Sequence, residues 1–282
     1  MNWFTKKKIQ HNERETLENY LQRSNDYKKV HYINQATNCR FCFSFISTLI
    51  DESILQENVL PYLLEKPFEK IEEVKKLIPL ADVQVSNDES LIEQKLFNGY
   101  VFLTLDSDPG HFAFLAAQKE IVRSITQPEV EFSVIGPKEA FVESLEQNVN
   151  LIRKRLPVKE LISEELTLGT LSKTKISVMY LDGIADPDNI QEVMKRLKDV
   201  EFDAITDSSY IVQLISDNKN SPFPQLLDTE RPDRVTAILA EGKIAIFVDG
   251  SPHVLITPTT LVEFFGSFED YFLNWMISSF FR

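Results

Sequence analysis

One spacing of three residues occurs twice in this chain, and it restricts the fold more than any other feature. A glycine, an aspartate and a proline stand at the same intervals at two places, first Gly99, Asp106 and Pro109 and then Gly242, Asp249 and Pro252. Each set follows a leucine-containing amphipathic segment and encloses an apolar, strand-like run, and residues 47–51 also echo residues 180–184. We therefore predict an α/β fold of two similar α/β subdomains, a duplicated unit with a central connecting helix.

A proline-rich run lies within the second copy. It consists of Ser221, Pro222, Phe223, Pro224 and Gln225, followed by Thr229, Glu230, Arg231, Pro232 and Asp233. Because proline fixes φ and has no backbone N–H, the run cannot form a helix interior or a central strand. We predict a rigid surface insertion that contacts a neighbouring subunit or the sister subdomain. Pro232 then opens a helix that ends at Gly242.

The role of Arg231 has two readings at this point. The residue stands between Glu230 and Asp233. Its guanidinium either grips an anionic ligand or belongs to a local ion-pair network that holds the loop.

Hydrophobic periodicity divides the chain into four parts. These are a polar helical lead at residues 1–30, a first subdomain at 31–122, a second at 123–268, and the start of a membrane-proximal segment at 269–282. The first subdomain is predicted to have strands at residues 39–49, 100–105 and 111–117 and helices near 54–64, 68–78 and 91–97.

The second subdomain is predicted to begin with the long connecting helix. Pro137 suits its first turn, and one face carries Phe141, Leu145, Val149 and Ile152. Further along, the pattern predicts strands at residues 175–181, 202–205 and 244–248, and helices that begin at residues 186 and 207.

Charge and cysteine content restrict the partners. The 282 residues carry a formal net charge of −13, although residues 1–40 hold eight Lys/Arg against four Asp/Glu. An acidic body argues against nucleic acid. Cys39 and Cys42 have redox or zinc spacing, but one pair cannot close a tetrahedral site, so we predict two reduced, packed thiols.

Catalytic patterns are weak. Asp106 and Asp249 could be paired carboxylates, but turn chemistry explains their position before a proline-containing turn. The four histidines are scattered, and no glycine-rich phosphate loop or nucleophile elbow occurs. We therefore predict no enzyme activity, no cofactor and no metal.

The chain ends suggest a cytosolic start and a membrane nearby. The amino terminus lacks the apolar core of a secretory signal, and no run reaches the roughly 20 apolar residues of a membrane span. Residues 271–282 concentrate aromatic side chains before a terminal arginine. This segment either meets a membrane interface or forms a helix docked on its own domain.

A long set of residues carries a family resemblance. The set comprises Arg123, Gln127, Pro128, Glu131, Gly136, Pro137, Glu139, Phe141, Glu143, Asn148, Arg153, Arg155, Gly169, Tyr180, Gly183, Arg196, the proline-rich run, Gly242, Asp249, Gly250 and Pro252. Together these residues resemble the A subunit of GerA-type spore germinant receptors, continuously from residue 123 to about 271. Residues 38–120 fit the family more loosely, because a glycine matching Gly183 is absent beside Asp51.

The resemblance implies a place and a function. This chain would be the soluble N-terminal domain of the A subunit, on the spore-core side of the inner spore membrane, with the membrane reached by segments beyond residue 282. Its partners would be a transporter-like B subunit and a lipoprotein C subunit, in a complex that senses nutrients and triggers germination through ion release. Self-association and small-molecule binding stay open.

The resemblance also implies a fold and leaves one alternative. Its two α/β subdomains would be similar to solute-binding proteins. The alternative is a free-standing solute-binding or hydrolytic α/β protein.

Overall fold

The computed structural model describes residues 17–119, 139–216 and 226–259. These residues fall into two compact units. Residues 17–119 and 153–159 form the first unit, and residues 139–152, 160–216 and 226–259 form the second.

The first unit contains five helices and five strands among its described residues. In chain order they are α1 (Leu17–Leu21), β1 (Tyr27–Ile33), β2 (Arg40–Ile46), α2 (Glu52–Asn58), α3 (Leu60–Glu65), α4 (Ile71–Leu77), β3 (Val83–Ser86), α5 (Ser90–Phe97), β4 (Tyr100–Leu105) and β5 (Asp108–Ala116). A short 3-10 helix, Ser47–Leu49, follows β2. Strand β1 begins inside the stretch predicted as a helical lead, whose residues 1–16 lie outside the described part.

One face of the first sheet makes the main core of this unit. The strand order is β1-β2-β4-β5-β3. Phe41, Phe43 and Phe45 alternate along β2 and are buried in one cluster with residues of α2, α3 and α4 such as Leu63 and Val74. The period of two in the strand and the apolar stripes of the helices therefore meet in a single apolar layer.

The second unit contains four helices and five strands among its described residues. They are α6 (Leu145–Arg155), β6 (Leu161–Leu168), β7 (Thr174–Leu181), α7 (Pro187–Lys198), α8 (Ser208–Ile215), β8 (Leu227–Thr229), α9 (Pro232–Ala240), β9 (Ile244–Val248) and β10 (Val254–Thr257). The last three residues of α6, 153–155, belong to the first unit. Its sheet has the order β6-β7-β9-β10-β8. All five residues of β9 are buried, as expected for a central strand covered on both faces.

The two sheets share one topology, which agrees with the predicted duplication. Their strands correspond one to one in order, and every ladder of both sheets is antiparallel. The mixed α/β class is therefore confirmed, with antiparallel rather than parallel sheets. The likeness to solute-binding proteins stays a prediction.

The ladders correct the predicted register of the duplication. Phe41 pairs with Leu105 in the first sheet, as Ile176 pairs with Val248 in the second. Counting forward from these equivalent strands, Asp51 corresponds to Asp186. Each of these two aspartates caps a helix, because its carboxylate accepts a backbone N–H two residues later.

This register explains why no glycine stands beside Asp51. Residues 45–49, not 47–51, correspond to residues 180–184, so Gly183 corresponds to Thr48. Gly183 has φ +75°, in the left-handed region, within the turn that follows β7. Thr48 lies in the 3-10 helix, where its hydroxyl donates to Asp26.

Two predicted elements differ in the structure. Helix α6 begins at Leu145, not at Pro137, because the Asn148 side chain bonds the N–H and carbonyl of Val142 and holds that stretch outside the helix. Residues 202–205 form no strand. Their backbone instead bonds the β6–β7 turn, where Leu171 N donates to Asp203 O at 2.9 Å.

The two cysteines are free thiols. Cys42 is buried on β2, and Cys39, just before that strand, is partly buried. Burial raises the pKa of both thiols, which is consistent with packed rather than reactive groups.

Candidate functional site

The described part of the proline-rich run lies at one edge of the second sheet. Leu227–Thr229 forms β8, which pairs antiparallel with β10, and the chain then turns directly into α9. We call residues 227–233 the β8–α9 corner. Pro222, Phe223, Pro224 and Gln225 lie outside the described residues.

Burial of this corner contradicts the predicted surface loop. Thr229, Glu230 and Arg231 are 1%, 6% and 3% exposed, and Pro232 is also buried. Residues 229–233 are not an insertion either, because β3 and α5 occupy the corresponding places in the first unit. Proline is tolerated here because it stands in the first turn of α9, where its missing N–H costs nothing.

Arg231 is held by a neighbouring carboxylate. Its Nε and one terminal nitrogen donate to the two oxygens of Asp233 at 3.2 and 2.7 Å, and its backbone N donates to Thr229 Oγ1 at 3.2 Å. The side chains of Arg231 and Asp233 are 4% and 12% exposed. This geometry supports the local ion-pair reading of Arg231 over anion binding.

Glu230 ties the corner to two other segments. Its carboxylate lies 3.3 Å from Nε2 of His253, just before β10, and its carbonyl accepts the backbone N–H of Phe141 at 2.8 Å. Phe141 in turn packs edge-on against Phe247 of β9, with ring centroids 5.5 Å apart. The corner is thereby fastened to the sheet and to the segment before α6.

A second polar cluster lies beside His253. Ser251 Oγ accepts the backbone N–H of His253 and bonds the side chains of Asp207 and Ser208. Burial opposes ionisation of Asp207, but hydrogen bonds from Ser251, Ser209 and Ser208 outweigh it and lower the pKa of this carboxyl. The cluster joins the start of α8 to the start of β10.

Asp106 and Asp249 have the predicted turn roles. Asp106 N donates to Arg40 O and Asp249 N donates to Lys175 O, equivalent bonds in the two units. Asp249 also accepts the N–H of Leu145 at 3.1 Å, so it caps α6. Gly250, at φ +88°, completes the turn, and Pro252 follows, half-buried.

Arg153 belongs to the resemblance set, but its buried pairing with Asp26 was not predicted from the sequence. Arg153, 1% exposed, donates from Nε and one terminal nitrogen to both oxygens of Asp26, each at 2.8 Å. Ser24 and Thr48 bond the same pair. Burial opposes the charge on Asp26, yet Arg153 and the two hydroxyls hold the pKa of its carboxyl below its usual value.

The remaining candidate motif residues lie elsewhere in the chain. Arg155 stands in the basic last turn of α6. Besides residues 221–225, six residues of the resemblance lie outside the described residues: Arg123, Gln127, Pro128, Glu131, Gly136 and Pro137.

Ligand-sized features are modest in the described part of the chain. Residues 17–119, 139–216 and 226–259 contain no cluster of three or more His, Cys, Asp or Glu suited to a metal ion. A depression of about 400 Å³ is lined by residues of α7, α8 and the segment after α7. Within the same residues, no helix has both the length and the apolarity to cross a bilayer.

Comparison with known proteins decides the family. The family model described as Bacillus/Clostridium GerA spore germination protein matches residues 15–282. The chain belongs to the GerA family. This result confirms the resemblance and extends it over the first unit, which the sequence pattern matched only loosely.

Two named relatives show how much of a family member this chain represents. It is 42% identical over 262 residues to spore germination protein GerQA of Bacillus cereus, covering 93% of this chain and 52% of the relative. It is 33% identical over 242 residues to spore germination protein A1 of Bacillus subtilis (strain 168), covering 86% and 50%. The chain therefore spans about half the length of these GerA relatives.

A solved structure of the family has the same fold. The N-terminal domain of the A subunit of the Bacillus megaterium spore germinant receptor GerK3 matches with a TM-score of 0.60 at 28% identity. The match covers 87% of this chain and 92% of that chain. This GerA chain thus corresponds to nearly all of that N-terminal domain.

Proposed function

We propose that this chain is the N-terminal domain of a spore germinant receptor A subunit and acts in nutrient-triggered germination signalling. The observation that carries the proposal is the match to the GerK3 domain over 92% of that chain. The relatives that extend beyond this domain are named as spore germination proteins, which supports the same process.

The proposed signalling step is a protein contact rather than a chemical reaction. Asp249 caps α6 and Arg231 pairs with Asp233, and both contacts support a structural rather than a catalytic role for these residues. We assign the domain no catalytic step and propose that it acts within a receptor complex with a transporter-like B subunit and a lipoprotein C subunit. Its place would be the spore-core side of the inner spore membrane.

The proline-rich run is our proposed contact for a neighbouring subunit. Residues 221–225 lie one residue before the β8–α9 corner, which is fixed to the sheet by the pairing of β8 with β10. Prolines reduce the conformations open to a free segment, so less order must be gained on contact. Phe223 would supply the apolar anchor of this contact.

A germination assay tests the receptor assignment. Spores that lack the gene encoding this chain should lose the response to at least one amino acid or sugar, while lysozyme treatment of decoated spores should still recover viable cells. A normal response of these spores to every nutrient that the parent recognises would contradict the proposal.

A single substitution tests the proposed contact. Phe223→Ala in the full-length subunit should slow nutrient germination while the purified domain keeps its melting temperature. Ile33→Ala, which alters an exposed apolar residue of the first unit, is the matched control. If Phe223→Ala spores germinate like the parent, the run does not carry the signal.

A further inference from the structure

Three large apolar side chains of the second unit are exposed together. Leu171, Phe202 and Tyr210 are 78%, 41% and 38% exposed. The rings of Phe202 and Tyr210 lie 5.7 Å apart, and the Leu171 turn is bonded to the backbone of residues 202 and 203. We call these three residues the Leu171 patch. Grouped exposed apolar side chains of this kind mark interaction sites more often than single ones do.

Hydrogen bonds hold Leu171 in its exposed position. Thr170 N donates to Phe202 O at 3.3 Å, and the N–H groups of Leu171 and Ser172 both donate to Asp203 O, at 2.9 and 3.2 Å. The Thr170 hydroxyl also bonds the Asp203 carboxylate. The turn between β6 and β7 is therefore fixed, and an anchor presented this way loses little entropy on binding.

The backbone of this turn is strained as well as bonded. Lys173 has φ +51°, a conformation that residues other than glycine seldom adopt, and Gly169 has φ +84°. Such strain persists where the surrounding structure determines the conformation, and it is found most often at functional segments.

The patch is bordered by a depression whose lining is partly apolar and partly charged. Tyr210 and Leu214 stand one helical turn apart on α8, and Leu214 lines the depression of about 400 Å³ with Val200 and Ile215. Because Phe202 and Tyr210 touch each other, the patch and the depression can take a short segment of chain with more than one apolar side chain.

Carboxylates border this surface. Asp199, Glu201 and Asp203 are exposed and flank Phe202 in sequence, with Asp199 and Glu201 also lining the depression. The nearby Arg196 is bonded to Glu192 and to the carbonyl of Ile215, while two exposed lysines, Lys173 on the turn and Lys198 beside Asp199, add positive charges. The border therefore favours an apolar occupant that carries positive charges.

We propose that the Leu171 patch binds the amino-terminal segment of this same chain, residues 3–9. This segment lies outside the described residues, and its sequence is Trp3, Phe4, Thr5, Lys6, Lys7, Lys8 and Ile9. The two aromatic side chains match the exposed apolar surface, and the three consecutive lysines match the three carboxylates. Tryptophan and phenylalanine are among the side chains enriched at the centres of protein interfaces. A bilayer is a poorer occupant, because the carboxylates would face its anionic lipid headgroups.

Site-specific photocross-linking tests the proposal on the full 282-residue chain. A benzophenone amino acid replaces Phe4, the protein is irradiated, and mass spectrometry locates the products. Cross-links should map to the peptides that contain Leu171, Phe202 or Tyr210. Their yield should fall severalfold in Leu171→Asp and in Glu201→Lys, and also as salt screens the exposed charges.

Controls separate this docking from misfolding and from other occupants. Ile33→Asp alters the exposed apolar residue of the first unit and should leave the yield unchanged, and every variant should keep the parent's circular dichroism. Products at other positions, or an undiminished yield in Leu171→Asp, would overturn the proposal. The absence of any product from Phe4 would also overturn it. In that case, a cross-link between Tyr210 residues of two copies would identify a second copy as the occupant, and binding of phosphatidylglycerol vesicles would identify a bilayer.

Discussion

Gly99 and Gly242 face the same obstacle in the two units. A Cβ added to Gly99 would lie 2.8 Å from the carbonyl oxygen of Leu49, and one added to Gly242 would lie 2.8 Å from that of Ile184. Leu49 and Ile184 are themselves equivalent in the corrected register. Both glycines have positive φ, +76° and +93°, just after a helix ends. A glycine is therefore required at both positions, because the end of the helix lies against a backbone carbonyl in each unit.

This relationship predicts matched losses of stability. Gly99→Ala and Gly242→Ala should each lower the free energy of unfolding by about 1–3 kcal/mol, because alanine adds both strain at positive φ and a clash with a carbonyl. Urea denaturation followed by circular dichroism measures the change. Gly110→Ala is the control, since its Cβ would have its nearest neighbour 3.8 Å away, and it should change little. Equal stability of all three variants would contradict the argument.

The Arg153–Asp26 pair predicts a larger effect. Arg153→Met leaves the Asp26 carboxylate buried without its partner, which should lower the free energy of unfolding by about 3–5 kcal/mol. The double variant Arg153→Met with Asp26→Leu should recover part of this loss, because no unpaired charge remains. Glu192→Gln, which breaks the exposed pair with Arg196, is the control and should cost less than about 0.5 kcal/mol. A double variant as unstable as the single one would contradict this account.

Asp26 also predicts how stability depends on pH. The pKa of this carboxyl is lowered in the folded state from its ordinary value of 3.8. Its contribution to stability is therefore complete above that value and is lost as the pH falls through the folded-state pKa. The urea midpoint should fall below about pH 4. Arg153→Met should flatten this dependence, and an unchanged acid limb in the variant would show that other carboxyls dominate.

Arg231 should act as a structural brace. Arg231→Ala removes two hydrogen bonds to Asp233 in a buried place and should lower the free energy of unfolding by about 2 kcal/mol. Arg231→Lys should recover little, because an ammonium cannot reproduce the two-pronged contact. Arg40→Ala, at an exposed position on β2, is the control for loss of an arginine. A wild-type melting temperature for Arg231→Ala would restore the case for a signalling role of this side chain.

The sequence predicted those helices and strands whose bounds are set by residues close to them in the chain. Helix α7 follows an aspartate cap and Pro187, and β4 is an apolar run that follows the glycine after α5, so both were predicted close to their true bounds. Strand β6 was not predicted, because the polar residues Glu164, Glu165 and Thr167 interrupt its apolar pattern. That strand is instead specified by its long ladder with β7.

The candidate site was predicted less well, for a physical reason. Proline content correctly excluded a helix interior at residues 229–233, but burial depends on partners far away in sequence. His253 and Phe141 cover Glu230, and neither is visible in the pattern around it. Asp26 likewise stands in a short polar stretch that reads as an ordinary turn, and its partner lies 127 residues away.

That separation has a consequence for the order in which the chain is made. While a ribosome synthesises the first unit, Asp26 emerges long before Arg153 does, so its pocket cannot contain a neutralising guanidinium. Before Arg153 is available, burial of Asp26 favours the protonated form of its carboxyl, or else Asp26 stays in contact with water. The nascent first unit can thus assemble its strands early, but it reaches its final packing only after the end of α6 has been translated.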